Sequence, residues 1–341
     1  MDRFEVVGGA AVTDSQGSAL RSDRNVVLQR TLGSAVSCTG QALHSGAEVS
    51  MVLHPAPVDH GIVFQRTDIP GPDGRIPASW DNVVNTSFCT VIGNRSGATV
   101  STIEHLMAAL AGCGVDNVLI QIDGSELPVM DGSAAPFVFL VECAGTVAQD
   151  APRRALKIKR RVTVEADGKR VELTPARDFQ INFRIEFDGT IGRQDYVFGG
   201  ASGAFKAELS RARTFTFAGE IEQLHAAGLA LGGSLDNAVV IEGDRVLNDG
   251  GLRYADECVR HKVLDCLGDL YTVGGPIIGH YHGLRAGHGM TNRLLKALFA
   301  DPANYEWVDQ REPAARQPVL TAVPNTPPLR AELGLKLAAS A

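Results

Sequence analysis

The chain has 341 residues, of which 44% are hydrophobic, and its formal net charge is −7. This composition supports a sizeable core, and the length suggests two domains. The acidic balance and the lack of a long lysine or arginine run argue against a nucleic-acid groove, although a local basic patch for a phosphorylated small molecule remains compatible with it.

Cysteine usage and the N-terminal segment indicate a cytoplasmic protein. The six cysteines are scattered and include no CxxC pair, so we expect reduced core residues rather than a disulfide framework. Residues 1–25 contain acidic side chains and no bounded apolar core, so we interpret them as a loose extension and expect no signal peptide. No apolar run reaches the length of about 18 residues that a membrane-spanning helix needs.

The first half of the chain, residues 26–150, has a pattern of strands followed by helices. Ser101 and Glu104 have the spacing of a capping box, which predicts a helix start, and Gly112 or Gly114 would end that helix. A second helix is predicted around residues 136–144. The predicted strands are 49–53, 62–64, 83–92 and 118–122.

The second half, residues 151–305, follows a linker predicted at 149–154 and again begins with strands. Strands are predicted at 156–166, 169–175, 180–187, 237–241 and 277–282. Helices are predicted at 218–227, 256–270 and 291–299, the last capped by Thr291. Both halves therefore favour an α+β fold. Recurrent prolines predict an extended or disordered tail, placed at residues 306–341.

The helix at 256–270 contains the strongest candidate for a metal site. His261, Asp265 and Asp269 are spaced four apart and therefore share one face. An imidazole followed one turn later by a carboxylate suits two ligands on one zinc-like ion. The alternative is a solvated polar face with an i,i+4 His–Asp pair, and this helix alone does not decide between them.

Glu104 and His105 are neighbours at the first turn of a predicted helix. Their side chains point about 100° apart, so one could bind a metal while the other faces a water molecule on it. His105 with His261 and Asp265 would give three ligands and an open position, which is the arrangement of a catalytic zinc. Glu104 could then accept a proton. Alternatively, Glu104 is a capping-box carboxylate and His105 an ordinary half-buried histidine.

Three further side chains are weaker candidates. His288 lies between glycines and suits a general acid, with Asp269 orienting it, or else is hydrogen-bonded in a glycine-rich turn. Thr214 offers a hydroxyl for an oxyanion. Lys262 could reach a carbonyl or phosphate, or be an ordinary solvated lysine. Five further histidines are expected to be non-catalytic: His54, His60, His225, His280 and His282.

Several sequence blocks resemble the UDP-3-O-acyl-N-acetylglucosamine deacetylases, the zinc amidases of lipid A biosynthesis in Gram-negative bacteria. The resemblance covers about residues 26–300, and its many blocks in the right order make it highly specific. The blocks are 101–106 (STIEHL), 128–137 (PVMDGSAAPF), 212–215 (ARTF), 232–234 (GGS), 259–265 (VRHKVLD) and 287–288 (GH).

The resemblance implies a role for each matching side chain and a specific reaction. The reaction is hydrolysis of the N-acetyl group of UDP-3-O-(3-hydroxyacyl)-N-acetylglucosamine, which releases acetate. The implied roles are zinc binding by His105, His261 and Asp265, general base catalysis by Glu104, general acid catalysis by His288 with Asp269 as its partner, oxyanion stabilisation by Thr214, and substrate contact by Lys262.

The resemblance also implies an architecture. Each of two α+β domains is a two-layer sandwich, and the helical layers face each other with the site between them. A βαβ insert in the second domain, here about residues 214–246, would form an apolar passage for the acyl chain of the UDP-sugar. Its expected lining is Phe215, Ala218, Ile221, Ala230 and Leu235.

Some alternatives stay open at this stage. The N-terminal extension and the proline-rich tail fall outside the family core. The acyl chain length and the oligomeric state are undetermined, with a monomer favoured. The rival functions are a zinc deacetylase for another N-acyl sugar and a metal-stabilised nucleotide-sugar-binding protein without turnover.

Overall fold

The computed structural model describes residues 26–189, 191–200 and 203–311. Within these ranges the fold contains twenty β-strands and five α-helices. The mixed α/β composition expected from the sequence is therefore confirmed. The N-terminal extension (1–25) and all of the predicted tail after residue 311 lie outside the described residues. No helix within the described part of the chain is long and apolar enough to cross a membrane.

The strands of the first half form a five-stranded sheet and two smaller sheets. They are β1 (Leu28–Leu32), β2 (Val36–Gln41), β3 (Glu48–Pro55), β4 (Ile62–Arg66), β5 (Arg75–Pro77), β6 (Val83–Asn85), β7 (Val91–Gly93), β8 (Thr99–Val100), β9 (Val118–Ile122) and β10 (Thr146–Pro152). The large sheet has the order β2-β3-β9-β4-β5, β6-β7-β8 form a second sheet, and β1 pairs with β10. Alternate residues of β3, namely Val49, Met51 and Leu53, are buried, as expected for a sheet with one core face.

The strands of the second half are organised around one central strand, β19. They are β11 (Arg154–Ile158), β12 (Val162–Ala166), β13 (Lys169–Thr174), β14 (Phe179–Glu186), β15 (Arg193–Gly199), β16 (Phe215–Phe217), β17 (Val239–Glu242), β18 (Arg245–Val246), β19 (Ile277–Leu284) and β20 (Tyr305–Asp309). β19 pairs with β11, β13 and β14 in a seven-stranded sheet. β16, β17 and β18 form a separate small sheet.

The five helices place the candidate catalytic residues. They are α1 (Glu104–Cys113), α2 (Ala135–Ala144), α3 (Ala218–Ala226), α4 (Glu257–Tyr271) and α5 (His288–Phe299). α1 from the first half packs along α4 from the second, and α5 also packs against α4. The apolar side chains of α4 recur at three- and four-residue steps and are buried, which explains why this segment is helical and lies inside the protein: Val259, Val263, Leu264, Leu267 and Leu270.

Two predicted strands are each divided in the structure. The single strand predicted at 83–92 is wrong, because β6 and β7 are antiparallel and a turn separates them. The Asn85 side chain accepts a hydrogen bond from the Ser87 backbone N–H at 2.9 Å, which is the geometry of an Asx turn and reverses the chain. The single strand predicted at 156–166 is likewise two strands, β11 and β12.

The predicted linker and the predicted start of the tail are also wrong in detail. Residues 149–152 continue β10, which pairs antiparallel with β1, and residue 154 begins β11. Residues 305–309 form β20, an antiparallel neighbour of β11, so the chain remains in the sheet beyond residue 306. The tail start predicted from proline content, residue 306, is therefore too early, because β20 continues to Asp309.

Both helix starts that were assigned by capping patterns are wrong. α1 begins at Glu104 without a side-chain cap, and the Ser101 hydroxyl instead donates to the Ser125 carbonyl. α5 begins at His288, after an extended Gly287, so Thr291 lies inside the helix. The predicted helix end at Gly114 is confirmed, since this residue has a left-handed φ of 69°.

The cysteine prediction is confirmed in part. All six cysteines are free thiols. Three are buried, whereas Cys38 and Cys113 are half-buried and Cys143 is exposed. The expectation that all six belong to the core is therefore wrong for Cys143.

Candidate active site

Three side chains from two helices converge on one point. His105 of α1 and His261 and Asp265 of α4 are all buried, and one ligand atom from each lies within 4.8 Å of the others. Asp265 Oδ1 is 3.5 Å from His105 Nε2 and 3.3 Å from His261 Nε2. Ligands bound tetrahedrally at zinc–nitrogen and zinc–oxygen bond lengths would lie about 3.3 Å apart. The spacing therefore fits one such ion.

The hydrogen bonds of these side chains also fit a metal site. His261 Nδ1 lies 3.1 Å from the Ala212 carbonyl, which accepts a hydrogen bond only if Nδ1 carries the proton, so Nε2 keeps its lone pair. Asp265 Oδ1 and His105 Nδ1 are buried without a hydrogen-bond partner among the described residues. An unsatisfied buried carboxylate oxygen is costly unless a cation binds it.

Electrostatics favour the protonation states that metal ligands require. Burial lowers the pKa of His261 to about 3, so its imidazole is neutral at neutral pH. Burial alone would raise the pKa of Asp265, but the neighbouring His261 and Lys262 outweigh it and hold that pKa well below its usual range. Asp265 is therefore a carboxylate and His261 a neutral imidazole, the states in which these two side chains can bind zinc.

The turn that precedes α1 is held in a strained conformation. Thr102 has a φ of 60°, a left-handed value that is unfavourable for a β-branched residue. Its hydroxyl donates to Glu126 Oε1 at 3.2 Å. The buried Glu126 carboxylate also accepts the backbone N–H groups of His44 and Ser45 at 2.7 and 2.9 Å. This anchored turn determines how Glu104 and His105 enter the site.

The proposed acid and its partner lie beside the metal ligands. His288 Nδ1 is 2.8 Å from Asp269 Oδ2, so the predicted pairing of these two residues is present in the geometry. His288 Nε2 points the other way and lies 3.8 Å from Glu104 Oε1 and 4.0 Å from Asp265 Oδ2. The imidazole thus has one nitrogen fixed by a carboxylate and one directed towards the candidate metal site.

The shifted pKa values of His288 and Glu104 suit different roles, the first as an acid and the second as a base. Burial alone would lower the pKa of His288, but the Asp269 and Glu104 carboxylates outweigh it and raise this pKa to about 9. Burial raises the pKa of Glu104, since desolvation disfavours its charged form. At neutral pH, His288 therefore holds a proton that it could donate, while Glu104 has an increased affinity for one.

Thr90 is a polar contact of this site that the sequence analysis missed. It precedes β7, and its hydroxyl donates to Asp269 Oδ1 at 2.5 Å. Its backbone N–H donates to Glu104 Oε2 at 3.0 Å. A single threonine at the start of a short strand has no sequence pattern that would have singled it out.

The structure positions Lys262 and Thr214 differently. Lys262 Nζ lies 2.8 Å from Asp265 Oδ2 and 5.8 Å from the centre of the Phe215 ring, so the alternative of a merely solvated lysine is wrong. The backbone of Thr214 is fixed between Gly132 and Val239. Its hydroxyl makes no hydrogen bond to another described residue, so its role at an oxyanion stays a prediction.

The five residues expected to line an acyl passage lie on one βαβ unit. β16 and β17 are parallel neighbours connected through α3. Phe215 belongs to β16, Ala218 and Ile221 to α3, and Ala230 and Leu235 to the segment that leads to β17. The Phe215 ring packs edge-on against His261 with centroids 6.4 Å apart, which places the start of this unit beside the metal ligands.

Comparisons with known proteins identify one matching family and several relatives of this chain. Residues 29–300 match the family model described as UDP-3-O-acyl N-acetylglycosamine deacetylase. A Stenotrophomonas maltophilia protein named UDP-3-O-acyl-N-acetylglucosamine deacetylase is 46% identical over 88% of this chain and 99% of its own length. A protein of the same name from Xanthomonas oryzae pv. oryzae is 46% identical over 87% of this chain and 98% of its own length. Another from Chromohalobacter salexigens is 45% identical over 88% of this chain and 99% of its own length.

The family match includes every candidate catalytic and metal-binding residue described above, since all of them lie between residues 29 and 300. The match and the three relatives each extend over most of the chain. The chain therefore belongs to the UDP-3-O-acyl N-acetylglycosamine deacetylase family.

Proposed function

We propose that the protein is a zinc-dependent deacetylase of UDP-3-O-(3-hydroxyacyl)-N-acetylglucosamine. It hydrolyses the N-acetyl group and gives UDP-3-O-(3-hydroxyacyl)-glucosamine and acetate, the committed step of lipid A biosynthesis. The observation that carries this proposal is the convergence of His105 with the His261–Asp265 pair, beside Glu104 and His288. Family membership supports the choice of substrate.

The metal would be held by His105, His261 and Asp265, and the unsatisfied Asp265 Oδ1 supports this assignment. Zinc bound there supplies Lewis-acid polarisation of the amide carbonyl and lowers the pKa of a water molecule to about 7. Three protein ligands would leave an open position, which is the arrangement of a catalytic rather than a structural zinc.

Glu104 is proposed as the general base. Its Oε1 faces the space between His288 and the metal ligands, while Oε2 is held by the Thr90 N–H. A carboxylate whose pKa is raised by burial is better matched to proton abstraction near neutral pH than an exposed one. Glu104 would take the proton from the water that attacks the amide carbon.

His288 is proposed as the general acid. The Asp269 carboxylate holds the Nδ1 side of the ring, so Nε2–H is the group free to reach the substrate. An amine leaves far more readily once protonated, and His288 would donate that proton as the carbon–nitrogen bond breaks. The resulting amine is the free amino group of the deacetylated sugar.

Lys262 and Thr214 are proposed to contact the substrate around the reacting amide. The Lys262 ammonium is held by Asp265 and lies beside the Phe215 ring, so its charge is kept close to the metal site. Thr214 directly precedes Phe215, and its hydroxyl would hydrogen-bond the oxyanion. The family resemblance supports both roles.

The βαβ unit is proposed as the passage for the 3-O-acyl chain. Phe215 contacts His261 at one end, and Phe187 packs edge-on against Phe215 with centroids 5.6 Å apart. Farther along, Leu231 and Leu235 are 54% and 48% exposed, so the segment between α3 and β17 presents two large apolar side chains at the surface. Phe215, Ala218, Ile221, Ala230 and Leu235 would therefore line an apolar path.

The division into two sandwich domains, residues 26–150 and 151–305, is proposed on the same basis. The five-stranded sheet uses residues 36–122 and the seven-stranded sheet uses residues 154–309. α1 and α4 pack against each other, and we propose that they lie between the two sheets. A site at this helical contact would lie between the two domains. The free state of all six thiols supports a cytoplasmic location.

Acetate release from the acylated nucleotide sugar, paired with metal analysis of the same sample, tests the proposal. We expect one zinc per chain and release of one acetate per substrate. A substrate panel with and without the 3-O-acyl chain separates this activity from deacetylation of another N-acyl sugar. Tight binding of the nucleotide sugar without any acetate release would instead indicate a binding protein.

A further inference from the structure

Thr90 contacts both halves of the proposed proton-transfer machinery. Its side chain is buried, with 2% exposure. Its backbone N–H donates to Glu104 Oε2 at 3.0 Å, and its hydroxyl donates to Asp269 Oδ1 at 2.5 Å. One residue therefore holds a carboxylate of α1 and a carboxylate of α4.

The backbone bond determines which oxygen of Glu104 is available. Because Oε2 accepts the Thr90 N–H, Oε1 is the oxygen that faces His288 Nε2, at 3.8 Å. Hydrogen bonds to an ionised carboxylate are roughly twice as strong as neutral ones, so this bond restricts rotation of the Glu104 side chain.

The hydroxyl bond does the same for Asp269. Its Oδ1 is taken by Thr90, and its Oδ2 lies 2.8 Å from His288 Nδ1. The Thr90 hydroxyl oxygen also lies 3.3 Å from His288 Nδ1, so it borders the ring as well as the carboxylate. With both carboxylate oxygens engaged, the imidazole has one orientation in which Nε2 faces the reaction centre.

We propose that Thr90 is a positioning residue that aligns the general base and the general acid at the same time. It acts through Glu104 and Asp269 and does not touch the substrate. This inference rests on the function proposed above, because it requires those groups to transfer protons. It explains how residues from separate helices keep one relative geometry.

The Thr90→Val variant isolates the hydroxyl, because valine has the same shape and keeps the backbone N–H. Losing a hydrogen bond that orients a catalytic group typically costs about 10- to 100-fold in activity. We therefore expect kcat to fall by about that factor, with KM and zinc content close to those of the wild type. Thr90→Ser retains the hydroxyl and should recover most of the activity.

Thr31→Val is a matched control for the loss of a buried threonine hydroxyl. The Thr31 hydroxyl donates to the Asn117 carbonyl at 2.7 Å and accepts from the Ala56 N–H at 2.9 Å, away from the catalytic residues. This variant should have a lower Tm and an unchanged kcat. If valine at position 90 prevents folding, Thr90→Ala provides the same loss of the hydroxyl without the branched side chain.

A double-variant comparison separates positioning from general destabilisation. If Thr90 acts through Asp269, adding Thr90→Val to Asp269→Asn should reduce kcat by less than twofold more. An unchanged kcat in Thr90→Val, full additivity with Asp269→Asn, or equal impairment of Thr90→Ser would each overturn the inference. Absence of acetate release by the wild type would instead overturn the proposed function itself, so the two failures are distinguishable.

Discussion

Gly268 of α4 lies directly against the backbone of Glu104 in α1. A Cβ atom added at Gly268 would be 2.0 Å from the Glu104 carbonyl oxygen and 3.1 Å from the Ala108 nitrogen. The two helices are therefore in backbone contact at the turn that begins with Glu104 and His105. This close approach brings His105 next to two residues of α4. Asp265 lies three residues before Gly268, and His261 lies seven residues before it.

Replacing Gly268 by Ala should damage both the fold and the metal site. In an open helix this change would stabilise by about 1 kcal/mol, since alanine has the higher helix propensity. Here the clash forces α1 and α4 apart, and overpacking of this kind typically costs about 1–3 kcal/mol or more. Thermal unfolding and zinc titration should record a lower Tm and weaker zinc binding.

Gly219→Ala is the matched control for this prediction. Gly219 is also a helical glycine, in α3, but a Cβ atom there would meet nothing within 4 Å. This variant should retain or slightly raise the Tm and leave zinc binding unchanged. Equal behaviour of the two variants would refute the idea that close helix contact at Gly268 builds the site.

The sequence predicted the part of the site that lies on α4, but not how α1 and α4 come together to complete it. The spacing of His261, Asp265 and Asp269 predicted a shared helix face, and α4 confirms that face. The sequence could offer His105 as a third ligand, but no local pattern showed that the two segments meet, because convergence of distant segments depends on helix packing. That packing depends in turn on Gly268, which no local pattern distinguished from other helical glycines.

Local patterns failed where tertiary contacts use the same side chains. Ser101 and Glu104 have capping-box spacing, yet the Glu104 carboxylate accepts the Thr90 N–H and Ser101 bonds to Ser125. Glu104 therefore contacts Thr90 in the site and does not cap the helix. Similarly, residues 83–92 have strand-forming composition, but the turn at Asn85 divides them.

Replacing Glu104 by Gln should abolish most turnover without removing the metal. Glutamine keeps an oxygen that can accept the Thr90 N–H but cannot take a proton, so we expect kcat to fall by about two orders of magnitude or more. Acetate release and zinc content should be measured on the same preparation. Glu142→Gln, on the exposed face of α2, serves as the control and should be fully active. Wild-type turnover in Glu104→Gln would remove this residue from the mechanism.

The pH profile should depend on Asp269. The pKa of His288 is raised to about 9, so the acid is protonated below that value and activity should decline as pH rises through it. Asp269→Asn removes the carboxylate charge that raises this pKa most. The alkaline limb of kcat/KM should therefore move to lower pH. An alkaline limb at the same pH in both proteins would argue against His288 as the acid held by Asp269.

The proposed acyl passage predicts a selective effect of polar substitutions in α3. Ile221→Asp places a charge on the apolar path, so kcat/KM for the acylated nucleotide sugar should fall by about tenfold or more. The same variant should process a substrate without the 3-O-acyl chain as the wild type does. Glu222→Ala, at an exposed neighbouring position, is the control. An equal loss on both substrates would place Ile221 outside the passage.

Replacing a histidine that binds the metal should lower the zinc content, whereas replacing another histidine should not. His261→Ala removes a buried imidazole from the ligand set, so zinc content after dialysis should be well below one per chain. His225→Ala changes an exposed histidine of α3 and should leave zinc content unchanged. Full zinc occupancy in His261→Ala would reject His261 as a ligand.

Anomalous diffraction at the zinc absorption edge, from crystals of the zinc-loaded protein, tests the central claim most directly. The account predicts one strong peak within about 2.2 Å of His105 Nε2, His261 Nε2 and Asp265 Oδ1. A peak elsewhere in the protein, or one from which any of these three atoms is beyond bonding distance, would contradict it.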